Sequence, residues 1–346
     1  MKRFLDFFWP TLGLAAVIWS VKLLFDKLRA EAAADVAVRA LLGVGGVWSD
    51  VKIIAGVIGA KLSIIPPHAY FLAFASTLAA YSALAWYDRI ALLHLNRQQG
   101  ISFAYVAICS FVTYALSHNI GASVFSGGMV RLRAYTAKGL SAAEVAVLVA
   151  LCSFTFAFGT ILLLGLVLVL EPQILKPLTS LSRHFAIGEG AARLTGFGLL
   201  AFCMVYAIGA WLKLKPLKIG GLRIVYPRMP IVIRQFIAAP VELAGAAGII
   251  YFALPAQGNP GFLLVLGAFL LSFSAGLLSQ VPGGVGVMEA VFLAVMPGIP
   301  ASSVLAALMV WRLFYLLLPL ALSIPAILLF ERSQLGRSKN LQPPPV

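Results

Sequence analysis

The sequence predicts an all-α integral membrane protein of about eight transmembrane helices, interrupted by broken or re-entrant segments. Three observations lead there. Of the 346 residues, 61% are hydrophobic and only 11% charged, whereas a water-soluble domain is nearer half apolar and a quarter charged. The mean hydropathy is +0.98, which leaves too little polar surface to cover a molecule in water. Long apolar runs also recur along the chain, punctuated by Gly, Pro and charge. A soluble enzyme, a disordered tail and a disulfide-stapled secreted domain are excluded together. At roughly 20 residues per span, the length allows about eight to ten crossings and no large soluble domain.

In chain order the runs predict helices at about 4–25, 67–91, 101–118, 142–170, 191–213, 231–254, 261–281 and 302–330. The first is a retained helix, not a signal peptide. Its apolar segment is too long, and Lys22, Asp26, Lys27 and Arg29 stand where small residues would mark a cleavage site. The stretch 36–60 carries Arg39, Ser49, Asp50 and Lys52. It reads as a pair of short interfacial helices or as a broken crossing. Ser141 and Glu144 have the spacing of a capping box, which opens the helix at 142. Gly220 and Gly221 lie between possible short strands at 217–219 and 222–226, where a hairpin turn explains them better than a nucleotide loop. Residues 1–330 form one polytopic domain and 331–346 a short cytoplasmic tail.

The net charge of +14 comes from 26 Lys and Arg against 12 Asp and Glu. In a membrane chain the plain reading is cytoplasmic loops rich in Lys and Arg, touching anionic headgroups. Nucleic acid is not an expected partner. Lys213, Lys215, Lys218, Arg223, Arg228 and Arg234 succeed one another without an acid, as do Arg131, Arg133 and Lys138. These stretches, Lys2 and Arg3, and Arg332, Arg337 and Lys339 all belong on the cytoplasmic side of an inner (plasma) membrane. Eight simple spans cannot satisfy all of them, so one extra full or partial crossing is required, with 36–60 as its source. Cys109, Cys152 and Cys203 each stand alone in an apolar run, so neither disulfides nor a metal site are expected, and no cofactor is implied.

Two stretches break the helical pattern in similar ways. Ser117-His118-Asn119-Ile120-Gly121 leads to Ser126-Gly127-Gly128-Met129-Val130-Arg131, and Ser279-Gln280-Val281-Pro282-Gly283-Gly284-Val285-Gly286 leads to Glu289. Glycine gains too much freedom outside a helix and proline lacks the donor N–H. Broken backbone at membrane depth is tolerated only inside protein or along a cavity, and a matching pair of breaks points to a transporter's midplane site. The breaks at 119–128 and 281–286 are therefore read as cavity wall and gate, with a weak inverted repeat as the architecture they suggest.

Charges inside spans cost several kcal/mol unless paired or hydrated, about 2.5–3.5 on insertion scales. Arg312 with Tyr315, Glu289, Glu242 after Pro240, Arg131 and Arg133 with Tyr135, Asp88 and His118 are the residues so placed. Guanidinium forks suit phosphate, so Arg131, Arg133 and Arg312 are expected to hold a lipid phosphate. Glu289 and Glu242 would hold those arginines when the site is empty, or a cationic headgroup. The competing structural readings are a Glu289–Arg312 pair that fixes helix packing, a positive-inside anchor at Arg131 and Arg133, and a hydrogen-bonded bundle histidine at 118.

No GxSxG, HExxH, Walker or paired-Asp motif is present. Tyr87-Asp88-Arg89-Ile90-Ala91-Leu92, Gly127-Gly128-Met129-Val130-Arg131-Leu132-Arg133-Ala134-Tyr135, Gly139-Leu140-Ser141, the 279–289 stretch and Trp311-Arg312-Leu313-Phe314-Tyr315 occur in one order. In that order they resemble the lysylphosphatidylglycerol synthase transmembrane family, the N-terminal flippase region of multiple peptide resistance factors, over roughly residues 10 to 330. The resemblance implies translocation of an anionic or aminoacylated phospholipid such as lysyl-phosphatidylglycerol. The aminoacyl-tRNA-dependent transferase domain of the family has no counterpart here, so no enzyme activity is expected. Expected partners are membrane phospholipids, a separately encoded lipid synthase and further copies of the chain in a homo-oligomer. The alternative to transport is a scaffold that recruits such a synthase through the basic 213–234 stretch.

Overall fold

The computed structural model describes residues 46–120, 123–179, 188–213, 217–219, 222–224 and 227–339, with Lys22, Phe25, Asp26 and Arg29. The first helix expected at 4–25, apart from Lys22 and Phe25, lies outside the described residues, as do Gly121, Lys215 and the Gly220–Gly221 turn. Among the described residues, helices dominate: α1 (Gly46–Ile64), α2 (Pro67–His94), α3 (Phe103–Ile120), α4 (Ser123–Thr136), α5 (Ala142–Leu170), α6 (Glu189–Trp211), α7 (Met229–Ala253), α8 (Phe262–Leu278), α9 (Val287–Val295), α10 (Ala301–Trp311) and α11 (Leu318–Lys339). Five stretches are long and apolar enough to cross a membrane: α2, α5, α6, α7 and the run Ala301–Leu328. The expected all-α membrane fold holds, and the 36–60 region supplies an ordered helix, α1, packed on α10.

Helix ends reflect local chemistry. Pro67 opens α2 in the first turn, where its missing N–H costs nothing. Ser141 and Glu144 cap α5 reciprocally, with Glu144 N–H on Ser141 Oγ at 3.2 Å and Ser141 N–H on Glu144 Oε2 at 2.7 Å. The connection before α7 forms a small hairpin, β1 (Leu217–Ile219) with β2 (Leu222–Ile224), in the register Lys218↔Arg223.

The bundle is apolar outside as well as inside, as lipid requires. Phe71, Leu78, Trp86, Phe197, Val205 and Leu322 are exposed. Its centre is the pair α2 and α7, packed through small residues. A Cβ on Gly245 of α7 would lie 2.9 Å from the Ser76 carbonyl of α2, so the two backbones touch. Small residues permit such contact, which drives helix association where lipid removes the hydrophobic contrast. A buried polar chain adds to it: Tyr206 of α6 donates to Gln235 Oε1 of α7 (2.7 Å), and Gln235 Nε2 to Thr155 of α5 (2.9 Å).

Two predicted crossings are instead halves of hairpins. Helices α3 and α4 run antiparallel, since Tyr105 OH reaches the Ala134 carbonyl at 2.7 Å near the open end while Gly127 packs on Ser117 and Thr113 near the tip. Helices α8 and α9 fold back likewise through residues 279–286, where Gly276 abuts Gly284. The first hairpin opens toward the C-terminal end of α2 and the N-terminal end of α5, and the second toward the 254–261 connection. The latter lies beside the start of α10, because Leu254, Gly258, Pro300 and Ser303 line one cavity. This topology removes the parity conflict. Residues 131–138, the loop between α6 and α7, and the C-terminal end of α11 share one side, which the charge rule makes cytoplasmic. The hairpins therefore open on opposite faces and their tips meet, α3 packing on the 282–284 turn. That is the arrangement an inverted repeat produces.

The Gly127–Gly128 break requires correction. Both residues are helical, inside α4. Glycine is tolerated in membrane helices where backbones approach, and a Cβ at 127 would run into the Ser117 hydroxyl. The second break stands, with Gln280, Gly283, Gly284 and Gly286 at φ 56°, 61°, 60° and 82°. The predicted helix 302–330 is continuous with α11 but widens into a π-helical turn, Arg312–Leu317.

Candidate functional site

Three buried acids organise the interior. Asp88, in the last third of α2, is wholly buried and grips Arg131 of α4. Arg131 Nε lies 3.1 and 3.2 Å from its two oxygens and Nη2 2.6 Å from Oδ1. Tyr135, one turn on, donates to Asp88 Oδ2 at 2.8 Å, and Cys152 of α5 approaches Oδ1 at 3.5 Å. The guanidinium also lies 4.8 Å from the centre of the Tyr114 ring. Fork-to-carboxylate geometry, a phenol and an aromatic face leave this pair fully occupied.

Glu289, at the start of α9, is tied to both its own turn and the wide turn. Gly286 N–H donates to Oε2 at 2.8 Å, Arg312 Nε to Oε1 at 2.7 Å, and Arg312 Nη1 to the Gly283 carbonyl at 2.9 Å. Arg312 Nη2 sits 2.5 Å from Glu289 Oε1 but is not aligned as a hydrogen-bond donor. The close approach supplies charge attraction without using that N–H. The side chains are 17% and 10% exposed.

Glu242, two residues after Pro240 on α7, has no cation among the described residues. Its partners are phenols: Tyr315 OH at 2.5 Å and Tyr87 OH at 3.3 Å. The wide turn that carries Tyr315 is stitched from outside, with Tyr81 OH on the Tyr315 carbonyl (2.9 Å) and Asn119 Nδ2 on the Leu316 carbonyl (3.1 Å). An aromatic column links the acids. Tyr114 packs on His118, His118 stacks on Tyr315 at 5.2 Å, and Tyr315 stacks on Trp311 at 5.2 Å.

The expected residues thus converge, but not in the roles the sequence suggests. Glu289 does hold Arg312. Glu242 holds no arginine, and Arg131 belongs to Asp88 instead. Arg133, in the last turn of α4, is exposed, so the three arginines do not share one phosphate position. Their grouping rests on sequence proximity, but on a helix positions i and i+2 point apart. His118 and Asn119 sit at the hairpin tip, and Ser279, Pro282, Gly283, Gly284 and Gly286 form the opposing turn. Ser279 Oγ accepts from Val281 N–H at 3.3 Å. Tyr114 escapes notice in the sequence and Cys152 reads there only as a lone buried thiol, because an aromatic and a thiol in apolar runs look like packing.

No family model matches the chain. It is 32% identical over 277 residues to the uncharacterized protein slr0712 of Synechocystis, covering 78% of this chain and 82% of that protein. It is 29% identical over 268 residues to the inner membrane protein YbhN of Escherichia coli, covering 76% of this chain and 80% of that one. The chain belongs to one family with these proteins and, with its membrane-length helices, is a multi-pass inner-membrane protein.

Proposed function

We propose that the protein binds an anionic or aminoacylated phospholipid by its phosphate and carries the headgroup across the inner membrane. The observation behind this reading is the meeting of two oppositely opening hairpins around buried charge, the layout in which alternating access works. The motif resemblance to the lysylphosphatidylglycerol synthase transmembrane family supplies the substrate class, lysyl-phosphatidylglycerol among its members. Arg312 is the arginine suited to exchange partners. A phosphate oxygen can take the place of Glu289 Oε1, the one oxygen that Arg312 contacts, and Glu289 keeps the Gly286 N–H on Oε2 when released. An apolar groove of about 470 Å³ between α2, α3 and α11, lined by Phe74, Trp86, Phe111, Phe314 and Leu322, runs to Tyr81. It suits an acyl chain whose headgroup lies inward. In this reading the chain performs no aminoacyl transfer.

The test is reconstitution into liposomes with headgroup- or chain-labelled phosphatidylglycerol and its lysyl ester. Wild type should move label between leaflets, and Arg312→Ala and Glu289→Gln should slow it at least about tenfold, the effect of losing one charged hydrogen bond. No movement of either lipid by folded wild type defeats the transport reading. The scaffold alternative rests on the acid-free basic stretch of residues 213–234. It then predicts a lipid synthase retained on the wild-type protein and lost when that stretch is neutralised.

A further inference from the structure

Where the hairpin tips meet, the chain leaves a partly open cavity of about 40 Å³, lined among others by Ser117, His118, Trp311, Gln280, Gly283 and Gly284. Three residues that line this cavity carry a polar atom with no hydrogen-bond partner among the described residues: Ser117 Oγ, which also packs on Gly127, His118 Nδ1 and Trp311 Nε1. Ser117 is 5% exposed and Trp311 1%. Leaving a buried polar group unpaired is costly, and natural structures keep few of them. Three such groups around one small space mark a site that is filled in the working protein.

The chemistry narrows what fills it. An indole N–H only donates, the serine hydroxyl and the histidine Nδ1 can each donate or accept, and no Asp or Glu lines the space. Just behind Gly283, Arg312 brings its positive charge to the rim, with Nη1 on the Gly283 carbonyl and Nη2 paired in charge with Glu289 Oε1. A cation would face donors with no counter-charge, whereas an anionic oxygen meets them all. We infer that Trp311, Ser117 and His118 form a seat for a phosphate oxygen, with Arg312 at its rim. This deepens the phospholipid reading above and rests on it. The size sets the state. One water needs about 10–15 Å³, so the seat as it stands admits a few waters and no phosphoryl group. The group enters when the tips part. A Cβ on Gly284 would lie 3.2 Å from Gly276 Cα, so the glycine turn rests directly on α8 and its withdrawal widens the space.

The experiment titrates the full chain in detergent with dihexanoyl-phosphatidylglycerol, glycerol 3-phosphate and inorganic phosphate by calorimetry. It compares wild type with Trp311→Phe, which keeps a ring but loses the donor, and with Ser117→Ala, which decides the matter if the first fails to fold. Binding of the lipid to wild type, weakened about tenfold or more in either folded variant, supports the seat. Equal binding of inorganic phosphate or glycerol 3-phosphate, lost in the same variants, keeps the seat but assigns it to a free phosphate and removes the lipid reading. Wild-type lipid affinity in both variants overturns the seat and leaves the lipid reading intact. No binding of any probe to wild type reduces the cavity to a water pocket and overturns both.

Discussion

Two of the arginine–carboxylate pairs, Asp88–Arg131 and Glu289–Arg312, differ more in their surroundings than in their chemistry. Asp88–Arg131 joins two regular helices, and its side chains are 0% and 5% exposed with a phenol and an aromatic face completing the shell. Glu289–Arg312 joins a left-handed glycine turn to a widened helical turn, is partly exposed, and leaves the guanidinium Nη2 close to the carboxylate without an aligned hydrogen bond. A sealed pair resists any change of partner, because removing either member strands a charge. A pair mounted on two irregular turns can trade its carboxylate for another anion. On the proposed transport function, the contrast separates the residue that holds the frame from the residue that would meet substrate.

The largest expected effect tests the sealed pair. Arg131→Met should cost about 3–5 kcal/mol by stranding Asp88, and adding Asp88→Leu should restore most of it. Thermal melting in detergent reads both, and a loss no larger than that of Arg312→Met would erase the distinction. Next comes Gly284→Ala, which puts a Cβ on a residue at φ 60°. The left-handed backbone alone costs about 1–2 kcal/mol, and Gly276 crowds the new atom, so melting should fall and lipid movement should stop. Gly127→Ala tests the other hairpin. Its backbone is helical, so the cost of about 1 kcal/mol should come from crowding and vanish when Ser117→Ala is added. An additive double mutant would show that this tip is not close-packed. The smallest effect belongs to Glu242→Gln. A glutamine can accept from Tyr315 and donate to Tyr87, so stability should change by less than about 1 kcal/mol. A loss near that of Arg131→Met would mean that Glu242 balances a charge.

Much of this architecture was legible because membrane helices announce themselves by composition. The run 142–170 matches α5 at both ends, since a capping box and Glu171 bound it, and short strands stand at 217–219 and 222–224 where the pattern puts them. Other features depend on distance in the chain. Asp88 meets Arg131 across 43 residues and Glu242 meets Tyr315 across 73, and no local pattern encodes either. Helix α9 is nine residues long, too short to register as a span, so α8 read as a crossing. The Gly127–Gly128 pair shows the limit most directly, because composition does not separate a glycine that breaks a helix from one that lets two helices touch. The phosphate grouping failed similarly, since neighbouring arginines in sequence diverge around a helix.

The wide turn at Arg312–Leu317 has one more consequence, for chain length. Such a turn holds one residue more than a regular one, and each helical residue rotates the remainder of the helix by about 100°. Deleting a residue here would repair the helix and swing Tyr315 or Arg312 away from its acid, depending on which side of the deletion is held. The surface connections tolerate insertion and loss; this stretch of the span does not, and its count of residues is as much a part of the site as their identity.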